Sequence, residues 1–150
     1  MSRREQALSV LHRLRTLQQS QQALEHARAQ QDEHACQQAV QRACADLAAA
    51  QAQAGQVTPG GTLSLERDRV VAHLLGELQR RVQLRETEHR EAVQRRDAAA
   101  QAHLAAQQQC DHVQERLDAE RMQAQQQRDL SAHDHSSDLR LARLLNGGRA

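Results

Sequence analysis

The sequence predicts an all-α protein: an elongated two-helix antiparallel coiled-coil hairpin with a longer second helix. Of its 150 residues, 26 are Ala, 25 Gln, 20 Arg and 19 Leu, and these four types are strong helix formers. Phe, Trp, Tyr and Ile are absent, so the chain lacks the residues that usually build sheets and thick cores. Apolar residues also recur at alternating spacings of three and four, which is typical of a coiled coil.

Glycine and proline set the limits of the two helices. Gly55, Pro59, Gly60 and Gly61 form one internal break, and Gly147-Gly148 forms a stop near the end. We therefore expect helix one at about 3–54, a turn at 55–63 and helix two at about 64–146, making residues 1–150 a single helical hairpin. The stretch 131–137, which contains His133 and Ser136, is where we expect a kink or a fresh helix cap.

Two runs of seam residues are predicted in helix one, and they do not share a register. The first consists of Val10, Leu14, Leu17, Gln21 and Leu24; the second consists of Cys36, Val40, Ala43, Leu47, Ala50 and Ala54. A stutter in the heptad pattern is expected between Leu24 and Cys36. In helix two the predicted seam runs through Val71, Leu75, Leu78, Val82, His89, Val93, Ala100, Leu104, Cys110, Val113, Leu117 and Ala124.

A short turn also predicts which residues face each other. If Ala54 faces Ser64, facing residue numbers sum to about 118, and Leu47 meets Val71. Helix two would then extend past helix one from about Glu115 onward. The leucines on that extension need a partner, because a lone helix in water cannot bury them.

No catalytic residue, metal site or cofactor is predicted. The sequence has no phosphate-binding loop or hydrolase motif, and Cys36, Cys44 and Cys110 do not have zinc-site spacing. His133 and His135 are two residues apart and would point to different faces of a helix. The formal charge of +1 and the lack of aromatic residues argue against nucleic-acid binding. No apolar run is long enough for membrane insertion, so we expect a cytoplasmic, non-enzymatic protein.

The chain resembles the central-stalk proteins of type III secretion and flagellar export (FliJ, YscO and their Hrp-type relatives). The features that carry the resemblance are the length, the shorter first helix, the break at 55–62 and the Gln/Arg/Ala-rich heptads. The tail Ser137-Asp138-Leu139-Arg140-Leu141-Ala142-Arg143 is also similar to the family's ending. The absence of aromatic residues departs from flagellar members and leaves their aromatic gate contacts without counterparts.

The resemblance implies a stalk that links a hexameric secretion ATPase to an export-gate membrane protein, recruited to the inner-membrane export apparatus. The resemblance also implies chaperones or secreted clients as further partners. The ATPase-facing candidates are Arg3, Arg4, Leu8, Leu11, Arg13, Arg15, Leu139, Arg140, Leu141, Arg143, Leu144 and Leu145. The gate-facing candidates are Leu63, Leu65, Val70, Leu74 and Leu75. Two alternatives stay open: a homo-oligomeric coiled-coil adaptor, and an export chaperone for a secreted client.

Overall fold

Two helices account for the described structure. The computed structural model describes residues 1–56 and 65–148, with α1 at Arg3–Gln56 and α2 at Leu65–Gly147. The helices pack against each other, α2 is the longer at 83 residues against 54, and the described residues contain no strand. The predicted all-α fold with a longer second helix is confirmed. Leu63 and most of the predicted turn lie outside the described residues.

The start of α1 is capped by Ser2. The backbone N–H of Glu5 donates to the Ser2 hydroxyl oxygen at 3.0 Å, and the N–H of Gln6 donates to the Ser2 carbonyl at 3.0 Å. A Ser followed three residues later by Glu is a known signal for a helix N-terminus, because it satisfies amides that have no partner within the helix. In α2 the acidic residues Glu66 and Asp68 lie in the first turn, where the helix dipole favours negative charge.

The fresh helix cap expected at 131–137 does not form. α2 is helical through this stretch, and the Ser136 hydroxyl donates to the His133 carbonyl at 2.8 Å. A hydroxyl that bonds back to the preceding turn fits within a helix, so the serines do not start a new one.

The described residues divide into two compact units. The terminal unit combines Met1–Ser20 with Ala105–Ala150, and the central unit is Gln21–Leu104. In the terminal unit the buried side chains are Cys110, Val113 and Leu117 of α2, together with Glu5 of α1. In the central unit they are Ala43 and Ala92, whose small side chains allow close approach of helix backbones.

The seam of α1 keeps one heptad register within each unit. Its less exposed positions recur every three or four residues: Glu5, Leu8, His12, Arg15 and Gln19 in the terminal unit, then Gln22, His26, Ala29, Glu33, Cys36, Val40, Ala43, Leu47, Ala50 and Ala54 in the central unit. The second predicted run therefore lies at the seam.

The first predicted run was wrong. Val10, Leu14 and Leu17 of the terminal unit are 65%, 50% and 69% exposed, and Leu24 of the central unit is 53% exposed. The register does not change between Gln19 and Cys36, so no stutter is needed. These aliphatic residues follow a second heptad line on the opposite side of the same helix, and the seam line of the terminal unit carries mostly polar residues instead.

The alignment of the two helices also differs from the prediction. In the terminal unit Glu5 pairs with Arg121 and Thr16 contacts Cys110. In the central unit Ala54 lies beside Val71, so facing residue numbers sum to about 125 in both units rather than 118. The difference is one heptad, and a shift of one heptad places seam residues opposite seam residues again.

The extension of α2 consequently begins later than Glu115. Leu117 is still buried, whereas from Gln125 to Gly148 every residue except Ser137 is exposed. Neither described helix has a stretch apolar and long enough to cross a membrane.

Candidate binding surfaces

The first part of the predicted ATPase-facing set is partly used inside the terminal unit. Arg15 lies at the seam, where its Nη1 donates to Oε1 of Gln18 at 3.0 Å and to Oε1 of Gln109 at 2.8 Å. Its Nε is buried and has no hydrogen-bond partner among the described residues. Because α2 holds this guanidinium in place, Arg15 is poorly placed to meet another protein.

Leu8 and Leu11 are also partly covered. Leu8 lines a depression of about 290 Å³ together with Arg4, Arg116, Ala119, Glu120 and Gln123. Leu11 is half-buried, whereas Arg3, Arg4 and Arg13 are exposed. The exposed part of this group is therefore cationic.

Glu5 connects the helix cap to α2. Its side chain is only 12% exposed, and Oε1 accepts a hydrogen bond from Nε of Arg121 at 3.4 Å. This pair is not evident from the sequence, although the Ser2–Glu5 spacing could have shown that Glu5 has a structural role.

The C-terminal part of the predicted set is fully available. Leu139, Leu141, Leu144 and Leu145 are 48%, 58%, 74% and 76% exposed. At 100° per residue, Leu139 points to the face opposite Leu141, whereas Leu144 and Leu145 lie closer to Leu141. Leucine is therefore present on both sides of the last turns of α2. Arg140 and Arg143 lie on one flank of the helix, between the Leu139 side and the Leu141 side.

The two parts of the predicted set do not meet. The start of α1 lies beside Arg121, and Leu139 follows 18 residues later, which is about 27 Å along a helix. Between them, positions that would continue the seam are polar: Gln127, Ser131, Asp134 and Asp138. The extension therefore has a polar part followed by a leucine-rich end.

The predicted gate-facing residues lie on more than one face of the central unit. Leu65, Val70 and Leu74 are 74%, 67% and 51% exposed, but Leu75 is turned toward α1. Leu74 and Leu75 line an apolar depression of about 170 Å³ with Ala50, Gln53, Ala54 and Val71. Leu63 lies outside the described residues.

A charged cluster occupies the seam of the central unit and was not predicted. The Glu33 carboxylate accepts a hydrogen bond from Arg96 Nη1 at 2.6 Å and lies 3.9 Å from His89 Nε2. Hydrogen bonds to Asp97 and to Glu33 raise the pKa of Arg96 above its usual value, so the arginine stays charged. His26 precedes Glu33 by one heptad and His103 follows Arg96 by one heptad. Their rings stack with centroids 6.0 Å apart. Charged residues at heptad spacing could have revealed these seam positions.

Among residues 1–56 and 65–148, no three His, Cys, Asp or Glu side chains lie close enough together to hold a metal ion. Cys110 is buried against Thr16, whose Oγ1 lies 3.6 Å from Sγ, while Cys36 is half-buried and Cys44 is exposed.

Comparisons with known proteins give no match to a family model, a curated protein or a solved structure.

Proposed function

We propose that the protein is a non-enzymatic stalk component of a type III secretion or flagellar export apparatus. In this role it links a hexameric secretion ATPase to an export-gate membrane protein and supports protein export at the inner membrane. The proposal combines the family resemblance with the exposed helix end of the terminal unit.

The observation that supports it most directly is the leucine-rich end of α2. A surface helix of a globular protein has one apolar stripe, whereas a helix that is apolar on opposite sides is surrounded by other elements. Leu139 and Leu141 lie on opposite faces and are both about half exposed. A helix end that enters the central opening of a ring has neighbours on all sides, which fits this distribution.

The polar part of the extension is consistent with the same role. Residues 125–138 contain Leu130 as their only leucine, valine or methionine. This segment can stay in water as a helix while it holds the leucine-rich end away from the α1–α2 contact. Arg140 and Arg143 add positive charge next to those leucines, which favours an acidic rim on the partner.

The test is binding to the purified hexameric secretion ATPase from the same cells. A variant carrying Leu141→Ser, Leu144→Ser and Leu145→Ser removes the apolar end, and Leu130→Ser serves as the matched control because Leu130 is 64% exposed and precedes it. We expect at least a ten-fold loss of ATPase affinity in the triple variant and little change in the control. Export should fall in cells that carry the triple variant at normal abundance.

The opposite results would distinguish the alternatives. If the triple variant binds the ATPase normally and export continues, the stalk proposal fails. A stable oligomer of the wild-type chain that forms without the ATPase would favour a homo-oligomeric adaptor. Selective binding of an export client, without ATPase binding, would favour a chaperone.

A further inference from the structure

A second apolar face lies on α1 in the terminal unit. Val10, Leu14 and Leu17 are each at least half exposed, and they are spaced by four and three residues. The seam of the same helix has this spacing too, so these side chains form a straight line along one face, which we call the outer stripe. The seam and the outer stripe are on opposite sides of α1, because at about 100° per residue the middle of the line through Leu14 and Leu17 lies roughly 160° around the helix from the middle of the line through His12 and Arg15.

The amphipathic pattern of this part of α1 is inverted. The positions turned toward α2 include Glu5, His12, Arg15 and Gln19, whereas the exposed line is aliphatic. A helix that packed only against α2 would gain more by burying Val10, Leu14 and Leu17, since each carries substantial apolar area. The inversion leaves the outer stripe uncovered among the described residues.

Positive charge borders the outer stripe. Arg13 precedes Leu14 by one residue and Leu17 by four, and Arg3 lies two turns before Val10 on the same line. Both arginines are exposed, and neither pairs with a carboxylate in the part of the chain that the structure describes. Residues that border a coiled-coil seam select partners by charge, so these arginines favour an acidic partner.

A second copy of the chain fits the outer stripe poorly, because Arg140 and Arg143 flank its leucine-rich end and would repel Arg3 and Arg13. Its acidic stretch exposes Asp111, Glu115 and Asp118 on the outer side of α2 in the terminal unit, but the large apolar residues that continue this line, Met122 and Leu139, are 17 residues apart. Such a face provides charge without a line of aliphatic side chains.

We propose that the outer stripe binds an amphipathic helix of a partner protein, with aliphatic residues at heptad spacing bordered by Asp and Glu. The result is a three-helix arrangement in which Val10, Leu14 and Leu17 become buried. This inference does not depend on the stalk role, because it uses a different face from the leucine-rich end of α2.

The experiment uses two synthetic 21-residue helical peptides and the full chain. Both peptides carry Leu and Val at heptad positions; one has Glu and the other Lys at the bordering positions. Fluorescence anisotropy at low salt measures their affinities. We expect the Glu peptide to bind at least ten-fold more tightly than the Lys peptide, and the difference to shrink with added salt as the charges are screened.

Variants test whether the outer stripe is the binding face. Leu14→Ser with Leu17→Ser should weaken binding of the Glu peptide at least ten-fold, and Arg3→Glu with Arg13→Glu should reverse the preference between the peptides. Met122→Ser, at an exposed residue of the same unit, is the matched control. Because Leu14 and Leu17 are exposed, the variants should keep their helical content, which circular dichroism checks.

Three results would overturn the proposal. One is equal affinity for the two peptides, or no affinity for either. Another is unchanged Glu-peptide binding by the Leu14→Ser, Leu17→Ser variant. The third is a wild-type oligomer in sedimentation that this variant disrupts, because a second copy would then cover the stripe.

Discussion

Glu33 of α1 and Arg96 of α2 form a 2.6 Å ion pair within the seam of the central unit. The side chains are 19% and 34% exposed, so the pair is partly shielded from water. Its position inside the seam, with Ala29 and Cys36 on either side of Glu33 along α1, gives it a structural role that an ion pair on the outer surface would lack.

We expect the Glu33–Arg96 pair to behave as one unit. Glu33→Gln and Arg96→Met should each lower the melting temperature by a few degrees, and the double variant should be less destabilised than the sum of the two, since each single variant already loses the same ion pair. Thermal unfolding followed by circular dichroism measures this. Glu77→Gln with Arg80→Met is the control, because that pair lies within one helix and is exposed. Strictly additive effects at Glu33 and Arg96 would contradict the coupling.

Gly76 weakens α2 without a packing reason. A Cβ atom built at Gly76 meets no atom within 4 Å, and the residue lies inside the helix. Gly76→Ala should therefore stabilise the protein by about 0.5–1 kcal/mol, because alanine loses less backbone freedom in a helix. Urea denaturation measures the gain. Gly148→Ala, beyond the end of α2, should change little, and a loss of stability in Gly76→Ala would show that this position needs glycine.

Ala92 has no room for a larger side chain. It is 1% exposed in the central unit, whereas Ala98 on the same helix is exposed. Ala92→Leu should destabilise the protein by about 1–3 kcal/mol, because the added carbons separate the helices. Ala98→Leu is the matched control, with the same change in helix propensity and little change in stability. If Ala92→Leu is neutral, the helices at this point are farther apart than the burial indicates.

The Ser2 cap should stabilise the beginning of α1. Ser2→Ala removes the acceptor of the Glu5 N–H bond and should cost about 1 kcal/mol of local stability. Amide hydrogen exchange of residues 3–6 reports this loss, and faster exchange is expected there. Ser20→Ala, at an exposed position within α1, should leave the same amides protected. Unchanged exchange in Ser2→Ala would mean that another group caps the helix.

The helices were predictable from sequence because glycine and proline occur at their ends and good helix formers fill the rest. The predicted helix one at about 3–54 compares with Arg3–Gln56, and the second run of seam residues from Cys36 to Ala54 lies where expected. These features depend on local propensity and on a seven-residue period, both of which the sequence displays directly.

The orientation of the first part of α1 could not be predicted in the same way. A heptad pattern identifies lines of residues, and the usual assumption is that the aliphatic line faces the partner helix. Here Leu14 is exposed and Arg15 faces α2, because Arg15 finds a hydrogen-bond partner in Gln109. Side-chain hydrogen bonds of this kind depend on the other helix, so they cannot be inferred from α1 alone.

The candidate surfaces were predictable only in part. The leucines near the end of α2 were expected to lack a partner in the hairpin, and they are exposed. The twelve arginines and leucines proposed at the two ends as one surface could not be separated by sequence, because the distance between them depends on the alignment of the helices.

The seven-residue period of the seam has a mechanical consequence. Because alanine and leucine recur at equivalent heptad positions, two alignments of the helices that differ by seven residues have similar hydrophobic energy. A slip from one alignment to the other moves one helix by about 10 Å along its partner. Glu33–Arg96 and Glu5–Arg121 can form in only one of these alignments. Two ion pairs thus set the relative position of helices that apolar packing alone would leave free to slide.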